Sequence, residues 1–260
     1  MTIEEVTALA REARSRGLLG EFAAGHASLD DADGLAGEEE GALAMIAIER
    51  GRLFHSAGAA TEAIPFFEAS WDLAQKAGDH DLAIDAAHML AVAAPLPAAA
   101  DWTRKALAYL DAHSASPFWR PMLHHNLGWT YFEAGRFEQA LASFLREERL
   151  RKQAGSPQAL KIARYAVIRS LRALGRLDEA IEIGEMAVAI ADQADDPAPF
   201  MYEELAECHA ASGNNERARY FAGRAHDALS GDASFARKEP LRLIRLSELA
   251  GPETGMAEKE

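Results

Sequence analysis

HHNLGWTYFEAGRFEQALASF, residues 124–144, sets Leu127, Gly128 and Tyr131 ahead of Ala140 and Phe144, with Gly135 placed to turn the chain before a second helix. The short pattern around Ala140 returns along the chain: Ala23 in EFAAGH, Ala63 in TEAIPF, Ala106 in RKALAY, Ala180 in DEAIEI and Ala218 in ERARYF. Successive intervals over the six are 40, 43, 34, 40 and 38 residues. A period in that range is the mark of a helix-pair solenoid, because a two-helix unit cannot bury its apolar faces alone and stacks on its neighbours.

The segment around Tyr131 resembles a tetratricopeptide repeat, with Leu127, Gly128, Tyr131, Gly135, Ala140 and Phe144 at that family's spacing. Gly51, Phe54, Gly58, Ala63 and Phe67 keep the same spacing, and Gly175 with Ala180 and Ala187, and Gly213 with Ala218 and Ala225, keep parts of it. The repeats are mostly longer than the usual 34 residues, in the manner of the roughly 40-residue repeats of some bacterial regulators. The resemblance implies an all-α, right-handed α-α superhelix in one solenoid domain over 1–250. Its repeats are expected at about 2–37, 40–79, 80–115, 118–155, 157–195 and 197–231, with a capping helix at 238–249 and a disordered tail at 251–260. Three local departures are expected. LLGEFAAGHASLDDADGLAG gives the first repeat a weak second helix. Pro95 and Pro97 stop a helix and impose an extended connection, where the solenoid can bend. Acid clusters such as Glu38–Glu40 and the Asp195–Asp196 pair sit at helix starts.

Composition narrows the function. The chain has 260 residues, 49% hydrophobic and 26% charged. Its longest strongly apolar stretch, 86–100, contains His88 and two prolines and falls short of the ~20 residues of a membrane span. The N-terminus lacks the apolar core and cleavage site of a signal peptide, so a cytoplasmic location is expected. One cysteine, Cys208, excludes an internal disulfide framework and a cysteine metal cage. The adjacent His124 and His125 point about 100° apart on a helix and make a poor ligand pair. Without a phosphate loop, nucleophile elbow or HExxH, the sequence offers no catalytic, cofactor or metal residues, and no enzyme is expected.

Charge points to a surface. A formal net charge of −14 argues against a nucleic-acid partner. Yet residues 101–175 hold 12 Lys and Arg against six acids, leaving the remainder near −20, and no acid occurs from Arg149 to Leu177. In QALKIARYAVIRSLRAL, at ~100° per residue, Lys161, Tyr165, Arg169 and Arg172 share one face with Arg164 on its flank. Ile162, Ala163, Ala166, Val167, Leu171 and Leu174 form the expected core stripe opposite. The resemblance implies that first helices line a concave groove, which places Tyr165, Arg169 and Arg172 in it and His125, Asn126 and Trp129 in the preceding repeat. Cationic forks, an aromatic platform and an amide suit a protein segment or peptide, acidic or carboxylate-bearing. Two expectations compete for the arginines. They face a ligand, in which case reversing Arg169 and Arg172 together abolishes binding with melting nearly unchanged, or they pair internally with Glu203, Glu204 and Glu207 on the next first helix. Trp129 and Phe132 likewise fit packing between repeats. An interaction scaffold is the leading reading. A peptide-sensing signalling or transcriptional regulator, and an assembly or homo-oligomerisation component, are the alternatives.

Overall fold

The computed structural model describes residues 3–251, and among them the chain is all helix, without a strand. The tail expected beyond Gly251 lies outside the described residues. The helices are α1 (Ile3–Leu18), α2 (Phe22–Ala36), α3 (Glu40–Ser56), α4 (Ala60–Ala77), α5 (His80–Ala93), α6 (Ala98–Ala112), α7 (Trp119–Glu133), α8 (Phe137–Gln153), α9 (Pro157–Ala173), α10 (Leu177–Gln193), α11 (Pro199–Ala211), α12 (Asn215–Ser230), α13 (Ala233–Lys238) and α14 (Pro240–Ala250). They fall into two compact units, one ending at Ala134 and the other beginning at Gly135. Within each, consecutive helices pair as antiparallel hairpins joined by short turns. No helix of the described residues is long and apolar enough to cross a membrane.

The turns explain the recurring glycines. Gly175 follows α9 at φ 73°, a left-handed conformation open to glycine at little cost, and the next amide, Arg176 N–H, reaches back to the Leu171 carbonyl at 2.9 Å. This six-to-one closure is repeated by Ala59 on Phe54, Asp79 on Ala74 and Asn214 on His209. It satisfies carbonyls that the helix end leaves open. Starts are marked by Asp79, whose carboxylate accepts from Leu82 N–H at 3.0 Å, and by proline in the first turn of α9, α11 and α14.

The recurring alanine has a structural reason, with two corrections. Ala63, Ala140, Ala180 and Ala218 each occupy the fourth position of a second helix and are buried, where a small side chain lets the partner helix approach. In the first repeat that position belongs to Gly25, whereas Ala23 is exposed. A Cβ on Gly25 would lie 2.9 Å from Leu53 Cδ2. The expected weak helix is therefore a full one, and its faint pattern reflects small residues packed in the cluster of Leu29, Ala32, Val6 and Leu53. In the proline unit, Ala106 is buried but lies nine residues into α6, because the helix starts at Ala98, directly behind Pro97. The largest close approach is at Gly51, where a Cβ would fall 2.5 Å from the Phe67 ring. Phe67 fills that gap and is itself fully buried. At the far end α14 runs over 240–250, where a capping helix was expected at 238–249, and the short α13 precedes it. Leu246 of α14 is buried, while Leu241 and Ile244 remain exposed.

Candidate functional site

In the unit from Gly135 onward, α9 and α11 are first helices of successive repeats and pack side by side. Between them lies a cavity of about 420 Å³ whose walls include Lys161, Ile162, Tyr165, Pro197, Pro199 and Phe200. Ile162 is 52% exposed and Phe200 42%, so both present apolar surface at this cavity. Ile162 was expected in the core stripe. The structure places it on the groove side, because it lies on the edge of the face carrying Tyr165 and Arg169. The buried positions of α9 are Ala163, Ala166, Val167, Ile168, Ser170 and Leu171, with Leu174 half-buried at the cap.

Each predicted cation has a carboxylate. Lys161 Nζ stands 2.7 Å from Asp196 Oδ1. Arg164 Nε donates to Glu148 Oε1 on α8 at 3.1 Å. Arg172 Nε donates to Glu204 Oε2 at 2.6 Å, and Arg169 Nη1 approaches Glu204 Oε1 at 3.5 Å while donating to the Tyr165 hydroxyl at 2.5 Å. The arginines are thus internally paired, and of the three expected acids only Glu204 serves them. Glu203 is held by Arg242, with Nε on Oε1 at 2.7 Å and Nη2 on Oε2, and Glu207 by Arg245 at 2.9 Å. Glu204 is 1% exposed, so it depends on its guanidiniums to offset the loss of water. Burial pushes the Tyr165 phenol up from its ordinary range, with Arg169 opposing and Glu204 reinforcing the shift. Asp195 and Asp196 do not begin a helix: α11 starts at Pro199 behind Ala198 without a side-chain cap, and Asp196 meets Lys161 instead. Glu39, by contrast, caps α3 through Gly41 and Ala42 N–H.

The other three candidates belong to α7, in the unit ending at Ala134. Trp129 Nε1 donates to His125 Nε2 at 3.2 Å, and the Trp129 and Phe132 rings lie 5.5 Å apart. The Asn126 amide meets His88 Nε2 on α5. His88 heads a polar ladder within that unit: its ring is 3.9 Å from Asp85, which Arg52 joins to buried Glu49, which Arg14 reaches at 3.3 Å. Burial lowers the His88 pKa, Asp85 opposing and Arg52 adding, and burial raises that of Glu49 against the pull of Arg52 and Arg14.

Three groups escaped the sequence reading. Phe200 is the second residue of α11, and Phe235 and Arg242 come from the cap. The rings of Tyr165 and Phe200 lie 6.0 Å apart and those of Phe200 and Phe235 5.8 Å apart, with the Arg242 guanidinium 5.6 Å and 5.0 Å from the two phenyl centroids. In the sequence Phe200 lies one repeat after Tyr165, outside the basic segment. Cys208, inside α11, is buried, and burial pushes its thiol up to about 12, so it is a protonated core residue. Among the described residues no group of three or more His, Cys, Asp or Glu is placed to hold a metal ion.

No family model matches the sequence, and no curated protein matches it. Solved structures do. A signal-transduction ATPase with numerous domains and a tetratricopeptide repeat sensor, from Pyrococcus horikoshii, superposes with a TM-score of 0.75 at 16% identity, over 93% of this chain and 39% of its own. This chain thus spans about two fifths of that protein. The apo form of RapI also gives 0.75, at 10% identity, over 93% of this chain and 72% of its own. NprR in complex with its cognate peptide NprX gives 0.53 at 16% identity, over 92% and 72%. Identities this low speak for the fold, which the helix hairpins, glycine turns and small-residue contacts establish independently: the chain has the fold of the tetratricopeptide-like helical repeat proteins.

Proposed function

We propose that the chain is a non-catalytic interaction module that holds a peptide or a segment of a partner protein along the α9–α11 face, with an apolar side chain of the ligand seated in the cavity beside Ile162, Tyr165 and Phe200. The exposed pair Ile162 and Phe200 at that cavity carries the reading. Covering a Leu-sized side chain there contributes about 2 kcal/mol, and water leaves the ligand and both walls together. Lys161, Arg164, Arg169 and Arg172 are each held by a carboxylate, so recognition at this face rests chiefly on apolar contact.

The peptide complex of NprR supports a peptide ligand for this fold, and the sensor repeats of the Pyrococcus protein support a sensing role as the second reading. Selection of a random peptide library displayed on phage, run on wild type and on Ile162→Glu, tests the proposal. Ile162 is half exposed, so the variant keeps its circular dichroism, and peptides enriched on wild type should be lost on it. Equal enrichment on both, or none on wild type, would place function elsewhere.

A further inference from the structure

Phe200 is an exposed wall of the apolar cavity, and what fixes it comes from the cap. It is the second residue of α11, and an exposed phenyl on a first helical turn is free to change rotamer unless neighbours hold it. Phe235 of α13, itself buried, lies 5.8 Å from the Phe200 ring. Arg242 of α14 sets its guanidinium 5.6 Å from the Phe200 centroid and 5.0 Å from that of Phe235, within the roughly 6 Å at which a cation is drawn to a ring. Resting on the proposed peptide-binding reading, we infer that Arg242 is a positioning residue for the peptide site: it fixes Phe200 as the cavity wall and so makes the cap helices part of the binding site.

The guanidinium can hold a ring because it is itself held. Its Nε donates to Glu203 Oε1 at 2.7 Å and its Nη2 to Glu203 Oε2, a two-bond fork that fixes the plane of the group as well as its place. Glu203 comes three residues after Phe200 on α11, so the fork ties Arg242 to the same face of the helix that carries the ring. A lysine ammonium keeps the charge but is a point, without the flat fork, and cannot reproduce this arrangement. Arg242 does not line the apolar cavity, so its effect on a side chain seated there passes through Phe200. The docking of α14 does not rest on Arg242 alone: Arg245 reaches Glu207 of α11 at 2.9 Å, and Leu246 is buried.

A double-mutant cycle tests this, read by fluorescence anisotropy with a labelled peptide selected on wild type. The proteins are wild type, Arg242→Lys, Phe200→Leu and the double variant, with circular dichroism and melting recorded for each. Arg242→Lys should weaken peptide binding by about threefold to tenfold, the loss expected when one side chain has to be ordered on binding. In the Phe200→Leu background the same change should have little effect, because the ring through which Arg242 acts is gone. Glu203→Gln, which leaves Arg242 in place and loosens its fork, should repeat the first loss. Equal losses in the two backgrounds, as a general weakening of the fold would give, or no loss in either, overturn the positioning role while the binding site stands. A peptide that binds Ile162→Glu as tightly as wild type overturns both.

Discussion

Glu204 shows how a single residue can settle a contest that charge counting leaves open. It is fully buried between two half-exposed arginines, so its carboxylate is tolerable only while they stay. Reversing Arg169 and Arg172 together therefore costs folding as well as any ligand contact, contrary to the expectation of unchanged melting. Arg172→Ala alone should lower stability by about 2 kcal/mol in urea denaturation, and adding Glu204→Gln should recover part of that loss, since an amide tolerates burial better than an unpaired charge. A second buried group gives a pH signature. The folded His88 pKa lies below its ordinary value, so the unfolded chain binds the proton more readily. Stability is then full above about pH 6.5 and declines as pH falls through the depressed folded pKa. His26, shifted the same way, adds to the slope. His88→Gln should flatten the fall in melting temperature between pH 7.5 and 5, with Asp85, Arg52 and Asn126 still in place around it.

For the helices, the glycines divide by what surrounds them. A Cβ at Gly51 meets the Phe67 ring, so Gly51→Ala should cost about 1–3 kcal/mol through overpacking. A Cβ at Gly223, inside α12, meets nothing within 4 Å, so Gly223→Ala should gain about 0.5–1 kcal/mol from helix propensity. Paired thermal melts of the two variants should move in opposite directions. The same contrast explains what could be read in advance. Turn glycines, the alanine in each second helix and the paired Gly51 and Phe67 carry backbone and packing constraints that a sequence displays directly. Gly25 in place of Ala23, and the early start of α6, were hidden because alanine and glycine are interchangeable in a hydrophobicity pattern although their contacts differ. Ile162 was misplaced for a related reason: a helix packed on several sides has no single opposite face, and a large apolar residue at the edge of its polar face belongs to a groove. The cap residues Phe235 and Arg242 join the site through tertiary contacts, which no local pattern announces.

At the scale of the molecule, charge is organised by the repeat. Arg172 with Glu204, Arg169 with Glu204, Arg52 with Asp85, Arg217 with Glu185 and Arg224 with Asp192 are each separated by 32 to 35 residues, about one repeat. Within the basic stretch from Arg149 to Leu177, Arg164, Arg169 and Arg172 pair with acids of neighbouring helices, while Arg151 and Arg176 pair with acids three or four residues away. The direct test is the methyl spectrum of protein labelled at its isoleucines, recorded while a peptide selected on wild type is added. Binding in the α9–α11 groove moves the Ile162 methyl resonance and leaves the buried Ile46, Ile48 and Ile84 of the other unit in place. Saturable binding that leaves Ile162 unmoved and shifts other isoleucines would contradict the assignment of the groove.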